Sequence, residues 1–427
     1  METDPKKKNP LIPTEEEEPL SEAMRKEKEK SVIPVHGRHM LLRIILFVVA
    51  LGIGIAGITF GFLGVFSSPP GLQEIAYNST KLPLSKTLSL YYYVSGSGMA
   101  ASQQANAVKT AYSTLYYESY TLFEEEVVYD DPYYSLGRLN ASTGMEVALP
   151  QKLYDSLKEA SEKKEETYSL FLAPLERFWS FRLSSRVDDP LDSEAAKDYL
   201  DSYISLLKED NLATFEFLGE RKVKLTEKEG YRKWKEENEY EGPLLSFGPL
   251  KQAYRMDYIK EGMLEKGFKD GYLLSDGGSI LSFGGLEGIS TITPGYLNGK
   301  AREAIKVDLG DYSSFTYLRH FPLSGNDPTS YEIAKSGNTY LRNLDLDPTT
   351  GYPNLATSFY GKLSLEGAVS SAYKALEESK STDLASSAID ALYEPYPGNE
   401  VIYSSSIKSH LTALLRENED NFSYVER

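Results

Sequence analysis

Four aspartates in the second half of the chain, Asp308, Asp311, Asp345 and Asp347, carry the oxygen ligands that a hard cation takes. As acidic loop residues they also need no ligand, and the sequence leaves both readings open. His320 and His410 lie far apart and have no recognisable triad context, so they read as surface or core positions. Cysteine is absent, which excludes disulfides, thiolate metal sites, a cysteine nucleophile and a lipidated cysteine anchor. No P-loop and no G-x-G-x-x-G element occurs, although a diglycine, Gly277-Gly278, stands between two strand candidates.

The elements that must position such residues follow from periodicity. Strands are expected at Thr87–Val94, Thr214–Leu218, Arg221–Leu225, Gly271–Leu274, Ile280–Phe283, Ile305–Val307, Tyr331–Ala334 and Glu400–Tyr403. Helical spacing covers about Ala100 to Phe123, Pro150–Lys164, Asp192–Leu207, Tyr254–Lys266 and Leu363–Ser379, and a short helix is expected to end near Leu415. Glu227–Glu241 reads as a charged surface helix or loop. Helices and antiparallel strand pairs alternate without a regular βαβ beat, which predicts an α+β fold.

One stretch sets the compartment. Ile44–Phe66 (IILFVVALGIGIAGITFGFLGVF) carries no charge, and at about 1.5 Å per residue it spans the roughly 30 Å hydrocarbon core. Arg25, Lys26, Lys28, Lys30, Arg38 and Arg43 precede it, and only Lys81 and Lys86 follow closely. The positive-inside bias therefore predicts a single-pass protein of the cell membrane, with a cytoplasmic N-terminus and an extracytoplasmic C-terminal domain. The expected organisation is a disordered cytoplasmic tail over 1–40, a transmembrane helix over 41–66, a stalk over 67–86 and a folded domain over 87–427. The tail's KKK, EEEE and RKEKEK blocks nearly cancel, so the formal charge of −17 belongs almost entirely to the exported part. Such a surface repels nucleic acid.

Seven segments, taken in order, resemble the FAD:protein FMN transferase family, the ApbE flavin transferases. Tyr134–Asn140 (YSLGRLN) is similar to S-x-L-S-x-L-N, and Tyr168–Phe181 (YSLFLAPLERFWSF) to F-D-x-T-x-G-P-L-x-x-L-W-G-F. Gly248–Asp257 (GPLKQAYRMD) lies over G-G-I-A-K-G-Y-A-x-D, and Ser275–Ser279 (SDGGS) over N-A-G-G-D. Lys335–Asn338 (KSGN) stands for T-S-G-D, Leu344–Pro353 (LDLDPTTGYP) for H-I-I-D-P-x-T-G-x-P, and Gly367–Tyr373 (GAVSSAY) for D-A-L-S-T-A-L. The resemblance implies an ApbE-like α+β domain behind one N-terminal transmembrane helix. It also implies binding of FAD, with Mg²⁺, and transfer of its FMN half to Ser or Thr of exported flavin-accepting proteins, releasing AMP.

By that resemblance the FAD-binding positions are Asn140, Tyr254, Asp257, Gly277, Gly278, Ser336, Gly337 and Asp347. Diglycine turns suit a phosphate, because no side chain keeps the backbone N–H groups away from it. At the metal position Ser371 keeps the hydroxyl of the family's Thr, while Gly367 replaces its Asp. A register shifted by one residue instead offers Glu366 and Ser370, a carboxylate and a hydroxyl sharing a helix face at i and i+4. Both registers stand. Further departures are Leu344 for the family's His, Ser169 and Ser279 for two Asp, and Gln252 for its Lys. No catalytic residue is assigned. Removing several polar contacts weakens the grip on a pyrophosphate, so the alternative expectation is a catalytically degenerate flavin-binding or scaffold relative.

Overall fold

Strand β2 (Leu88–Val94) alternates buried and less buried residues and pairs antiparallel with β1 (Gly71–Ile75), so that Leu72 faces Tyr93 and Ile75 faces Leu90. Gly71–Ile75 falls within the expected stalk; its pairing makes it the first strand of the folded unit instead. The computed structural model describes residues 70–77, 87–129, 135–163, 165–297, 300–353 and 357–379, with the backbone of 400–405, 414–416 and 422–424. The expected tail and transmembrane run lie outside the described residues. Among the described residues, no helix is long and apolar enough to cross a membrane.

After β2 comes the long helix α1 (Gly98–Phe123), then α2 (Leu136–Asn140), β3 (Glu146–Ala148), α3 (Gln151–Ser161), α4 (Ala173–Ser185) and α5 (Glu194–Lys208). Pro174 opens α4, a position whose missing N–H has no intrahelical partner to lose. The hairpin β4 (Ala213–Phe217) and β5 (Lys222–Glu227) joins β3 in a small sheet ordered β3-β5-β4. Helices α6 (Glu229–Glu237) and α7 (Lys251–Glu265) follow; α6 carries the charged segment and buries only Tyr231 and Trp234. The second half is mostly strands: β6 (Gly271–Ser275), β7 (Ile280–Ser282), β8 (Ser290–Leu297), β9 (Lys300–Asp308), β10 (Ser314–Arg319), β11 (Tyr331–Lys335), β12 (Asn338–Arg342) and β13 (Thr357–Ser364). Helix α8 (Ala368–Ser379) and strands β14 (Glu400–Ser405), β15 (Leu414–Arg416) and β16 (Phe422–Tyr424) complete it. The architecture is α+β.

The main sheet runs β1-β2-β6-β7-β10-β13-β14-β15, with every pairing antiparallel. Successive residues point to opposite faces, so Phe315, Tyr317 and Ile280 join one core while Leu318 and Leu281 join another on the helical side. All eight residues of β13 are buried, as expected of a strand covered on both faces. Helices α1 and α7 approach closely on the helical side. A Cβ built on Gly262 would stand 2.4 Å from Leu115 Cδ2, so a larger residue there would have to displace the Leu115 side chain.

Two expected helices differ. The pattern over Leu363–Ser379 breaks at Ser364, because Thr357–Ser364 is drawn into the sheet between β10 and β14 and helix α8 starts only at Ala368. Near Leu415 the chain is the strand β15, paired with Val401–Tyr403, rather than a helix. In both places long-range ladder bonds override local spacing.

Candidate functional site

The turn between β6 and β7 is built by Ser275–Ser279. Gly278 N donates to Ser275 O at 3.0 Å, Ser275 N to Ser279 O at 2.8 Å, and Ser279 N to Ser275 Oγ at 2.8 Å. Gly278 sits at φ +100°, and a Cβ on it would approach Thr293 Oγ1 to 2.8 Å, so this position demands glycine on both counts. Gly277 has ordinary room and no such requirement. Ser279 Oγ accepts from Tyr317 N at 2.9 Å, tying the turn to β10.

Opposite the turn stands the start of α8. Asp257, from α7, accepts Ala368 N on Oδ1 and Val369 N on Oδ2, each at 2.9 Å. A half-buried carboxylate thereby satisfies the first free donors of the helix and meets the positive end of its dipole. Burial holds the Asp257 carboxyl above its usual range, against the pull of those N–H groups. Ser371 is fully buried and its hydroxyl accepts from Thr316 Oγ1 of β10 at 2.8 Å. Between turn and helix lies a cavity of about 180 Å³, lined by Gly277, Ser279, Thr316, Met256, Ala368 and Ala372 among others.

An adjoining cavity of about 510 Å³ shares Pro249, Gln252, Tyr317 and Leu318 with the first. On its wall Lys251 Nζ binds both oxygens of Glu125, at 2.7 and 2.8 Å. Burial works against the ammonium, yet Glu125 holds it above the ordinary lysine range. Glu176 is pushed up to about 7, first by burial and then by Glu125. His320 and Asp345 also line this cavity, joined Nε2 to Oδ2 at 2.9 Å. A larger cavity, about 830 Å³, lies elsewhere, between the end of α3 and β4, and none of the expected FAD or metal positions lines it.

Of the expected positions, the structure brings together Asp257, Gly277, Gly278 and Ser371 around the turn and the start of α8. Tyr254, one turn before Asp257, packs into the core with ring centroids 4.7 Å from Phe247 and 5.8 Å from Phe123. Asn140 is occupied by backbone. Its Nδ2 donates to Glu125 O and Leu245 O, each at 3.0 Å, and its Oδ1 accepts from Leu245 N at 2.9 Å. Ser336 and Gly337 form the exposed two-residue turn of the β11–β12 hairpin, at φ 52° and 80°. Asp347 organises the turn before Tyr352, accepting Thr349 N at 2.8 Å and Thr349 Oγ1 at 2.7 Å. None of these last four lines either adjoining cavity.

The two metal registers part across α8. Gly367 and Ser371 face inward: a Cβ on Gly367 would meet the Asp257 oxygens at 3.0 and 3.1 Å. Glu366 is exposed, bonded by Lys374 Nζ at 2.6 Å and by the Ser370 hydroxyl. Those two bonds hold its carboxyl below the usual range. Gly367 offers no oxygen beyond its backbone, and the carboxylates on either side already have partners. Among the described residues, no group of three His, Cys, Asp or Glu side chains is placed to hold a metal ion. The donor set therefore does not fit Mg²⁺.

Comparison with solved structures decides the architecture. A flavin transferase ApbE from Vibrio cholerae superposes with a TM-score of 0.52 at 14% identity, over 81% of this chain and 97% of that one. The ApbE protein from Thermotoga maritima gives 0.50 at 15% identity, over 78% and 94%. The fold is ApbE-like. No protein-family model matches the sequence, and no curated protein matches it. On the ApbE-like frame, sequence reading missed Glu176 and Thr316, and it named His320 and Asp345 without pairing them. Their convergence has little local signal, because each comes from a different segment.

Proposed function

We propose that the chain is a membrane-anchored, extracytoplasmic protein of the flavin-transferase kind, receiving FAD in the two adjoining cavities. The observation that carries this reading is the cleft between the Gly277-Gly278 turn and the start of α8, on an ApbE-like fold. The solved neighbour from Vibrio cholerae is a flavin transferase, and by that likeness the reaction would move FMN from FAD to a Ser or Thr hydroxyl of an exported protein. Ser279, Gln252 and the Gly278 turn would position the dinucleotide. Mg²⁺ would neutralise the pyrophosphate, but the donor set described above does not fit it, so no step is routed through the metal. That mismatch favours a second reading, a catalytically degenerate flavin-binding or scaffold protein of a surface flavin system.

Titrating the full chain with FAD, with and without Mg²⁺, and following flavin fluorescence separates the two. Saturable binding that tightens with Mg²⁺ and is followed by AMP release supports transfer. Binding indifferent to the metal, with no AMP, supports the degenerate reading. No saturable binding removes both.

A further inference from the structure

The edge strand β4 of the small sheet borders the cavity of about 830 Å³, and all of its residues, Ala213–Phe217, line that cavity. Which of its backbone groups face outward follows from the ladder. Lys228 N donates to Leu212 O at 2.9 Å and Leu218 N to Lys222 O at 2.8 Å, on either side of the pairs Thr214 with Thr226 and Glu216 with Lys224. Bonded pairs alternate along antiparallel strands, so Leu212, Thr214, Glu216 and Leu218 turn their N–H and C=O groups toward β5. Ala213, Phe215 and Phe217 turn theirs away from it. The far side of β5 keeps the same alternation, since Leu149 N donates to Arg221 O and Gly144 N to Leu225 O. Outside the ladder, no backbone hydrogen bond among the described residues uses Ala213, Phe215 or Phe217.

A row of donors and acceptors in the plane of a sheet is met by another extended chain. Strand β4 has no proline and its register with β5 runs unbroken, so neither a missing N–H nor a bulge blunts the edge. Its two faces differ. Phe215 and Phe217, with ring centroids 4.8 Å apart, lie on one, and the exposed Thr214 and Glu216 on the other. Of the charged side chains lining the cavity, Lys163 is bonded to Glu159 at 3.0 Å and Lys228 to Asp210 at 2.8 Å. Glu165, Glu166 and Glu216 then stand against Lys208, a balance that favours a cationic occupant, as does the chain's formal charge of −17.

We propose that the outer edge of β4 receives an extended, basic segment of a partner protein as an added strand. The segment bonds to the backbone of Ala213, Phe215 and Phe217 and lays alternate apolar side chains over the two phenylalanine rings. A second copy paired through the same edge would bring another Glu216 to an acidic wall, so a homodimer is the poorer fit. The site is separate from the cleft proposed for FAD, and neither reading depends on the other.

The test is binding of fluorescein-labelled peptides to the full-length protein, read by anisotropy. The probe is a capped peptide of three Lys-Val repeats, with three Glu-Val repeats as its comparison; the basic probe should bind about tenfold more tightly. Two N-methylated forms of the probe, one methylated at its valine nitrogens and one at its lysine nitrogens, read the ladder. Only one alternating set of N–H groups can face β4, so one form should lose about tenfold in affinity while the other stays close to the parent. Ala213→Pro removes an outward N–H, and Glu216→Lys reverses a charge on the wall; each should weaken the basic probe by several-fold. Thermal melting checks folding, and the methylated probes decide the matter on the unaltered protein if Ala213→Pro does not fold. Equal affinity of the two methylated forms, or no binding of the basic probe at millimolar concentration, overturns strand addition. A dimer that Ala213→Pro dissociates would put a second copy on this edge and overturn the basic partner. FAD titration is expected to be unchanged by either substitution.

Discussion

The Glu176 carboxyl titrates near 7 in the folded protein, against an ordinary value of 4.5. Between those values the folded state keeps a proton that the unfolded chain has released, so rising pH removes stability across the window from about 4.5 to about 7 and none above it. Glu176→Gln cannot ionise. Its stability relative to wild type should therefore grow from pH 5 to pH 8, as read by urea unfolding of both proteins; an equal gap at the two pH values would refute the burial of this carboxyl. The residue's type was plain in the sequence, but nothing in LERFWSF announces it. Its proton is held first by burial and then by the neighbourhood of Glu125, from a segment far upstream. Gly278 is the contrary case: a diglycine between two strands predicts a tight turn, and the turn is there.

Helix α8 shows what an element's own pattern leaves open. Its apolar residues fit two registers one residue apart, and in the structure Ala368, Val369, Ala372, Ala375 and Leu376 are all buried. A wide buried face is compatible with either register; what separates them is the surroundings, Asp257 and Thr316 on the inner side and Lys374 with solvent on the outer. The cap is testable. Asp257→Ala would leave two helix-start N–H groups without their acceptor, at a cost of about 1–2 kcal/mol, visible as a lower unfolding midpoint. Gly367→Asp would set a second carboxylate against Asp257, whose oxygens already stand 3.0 and 3.1 Å from the added Cβ. Its melting temperature should fall in chelator and recover with millimolar Mg²⁺. Lack of recovery would show that the family's metal position cannot be rebuilt here by one side chain.

For the whole molecule, the run Ile44–Phe66 and its flanking charges are what the proposed membrane anchor rests on, and the chain's formal charge is −17. Full-length protein should sediment with membranes, and deletion of 41–66 should release it to the soluble fraction. Protease added to intact cells should cut the domain and spare an N-terminal tag; cleavage of the tag instead would invert the orientation. The ApbE-like frame explains why so many motif positions are architectural. Trp179 Nε1 donates to Gly351 O at 2.8 Å, and Arg342 clasps Asp189 at 2.7 and 3.1 Å. These bonds join distant segments, so they fix the fold irrespective of the site's chemistry.

By itself the sequence determined the uncharged span, the α+β alternation, the diglycine turn and the kinship of fold, because each is written in local composition, periodicity or short ordered motifs. Only the tertiary structure decided that Gly71–Ile75 belongs to the sheet, that Asp257 caps α8, and that His320, Asp345 and Glu176 share one cavity. Those facts depend on which surfaces meet when the chain closes, and a hydrogen bond between residues far apart in sequence leaves no periodic trace in either segment.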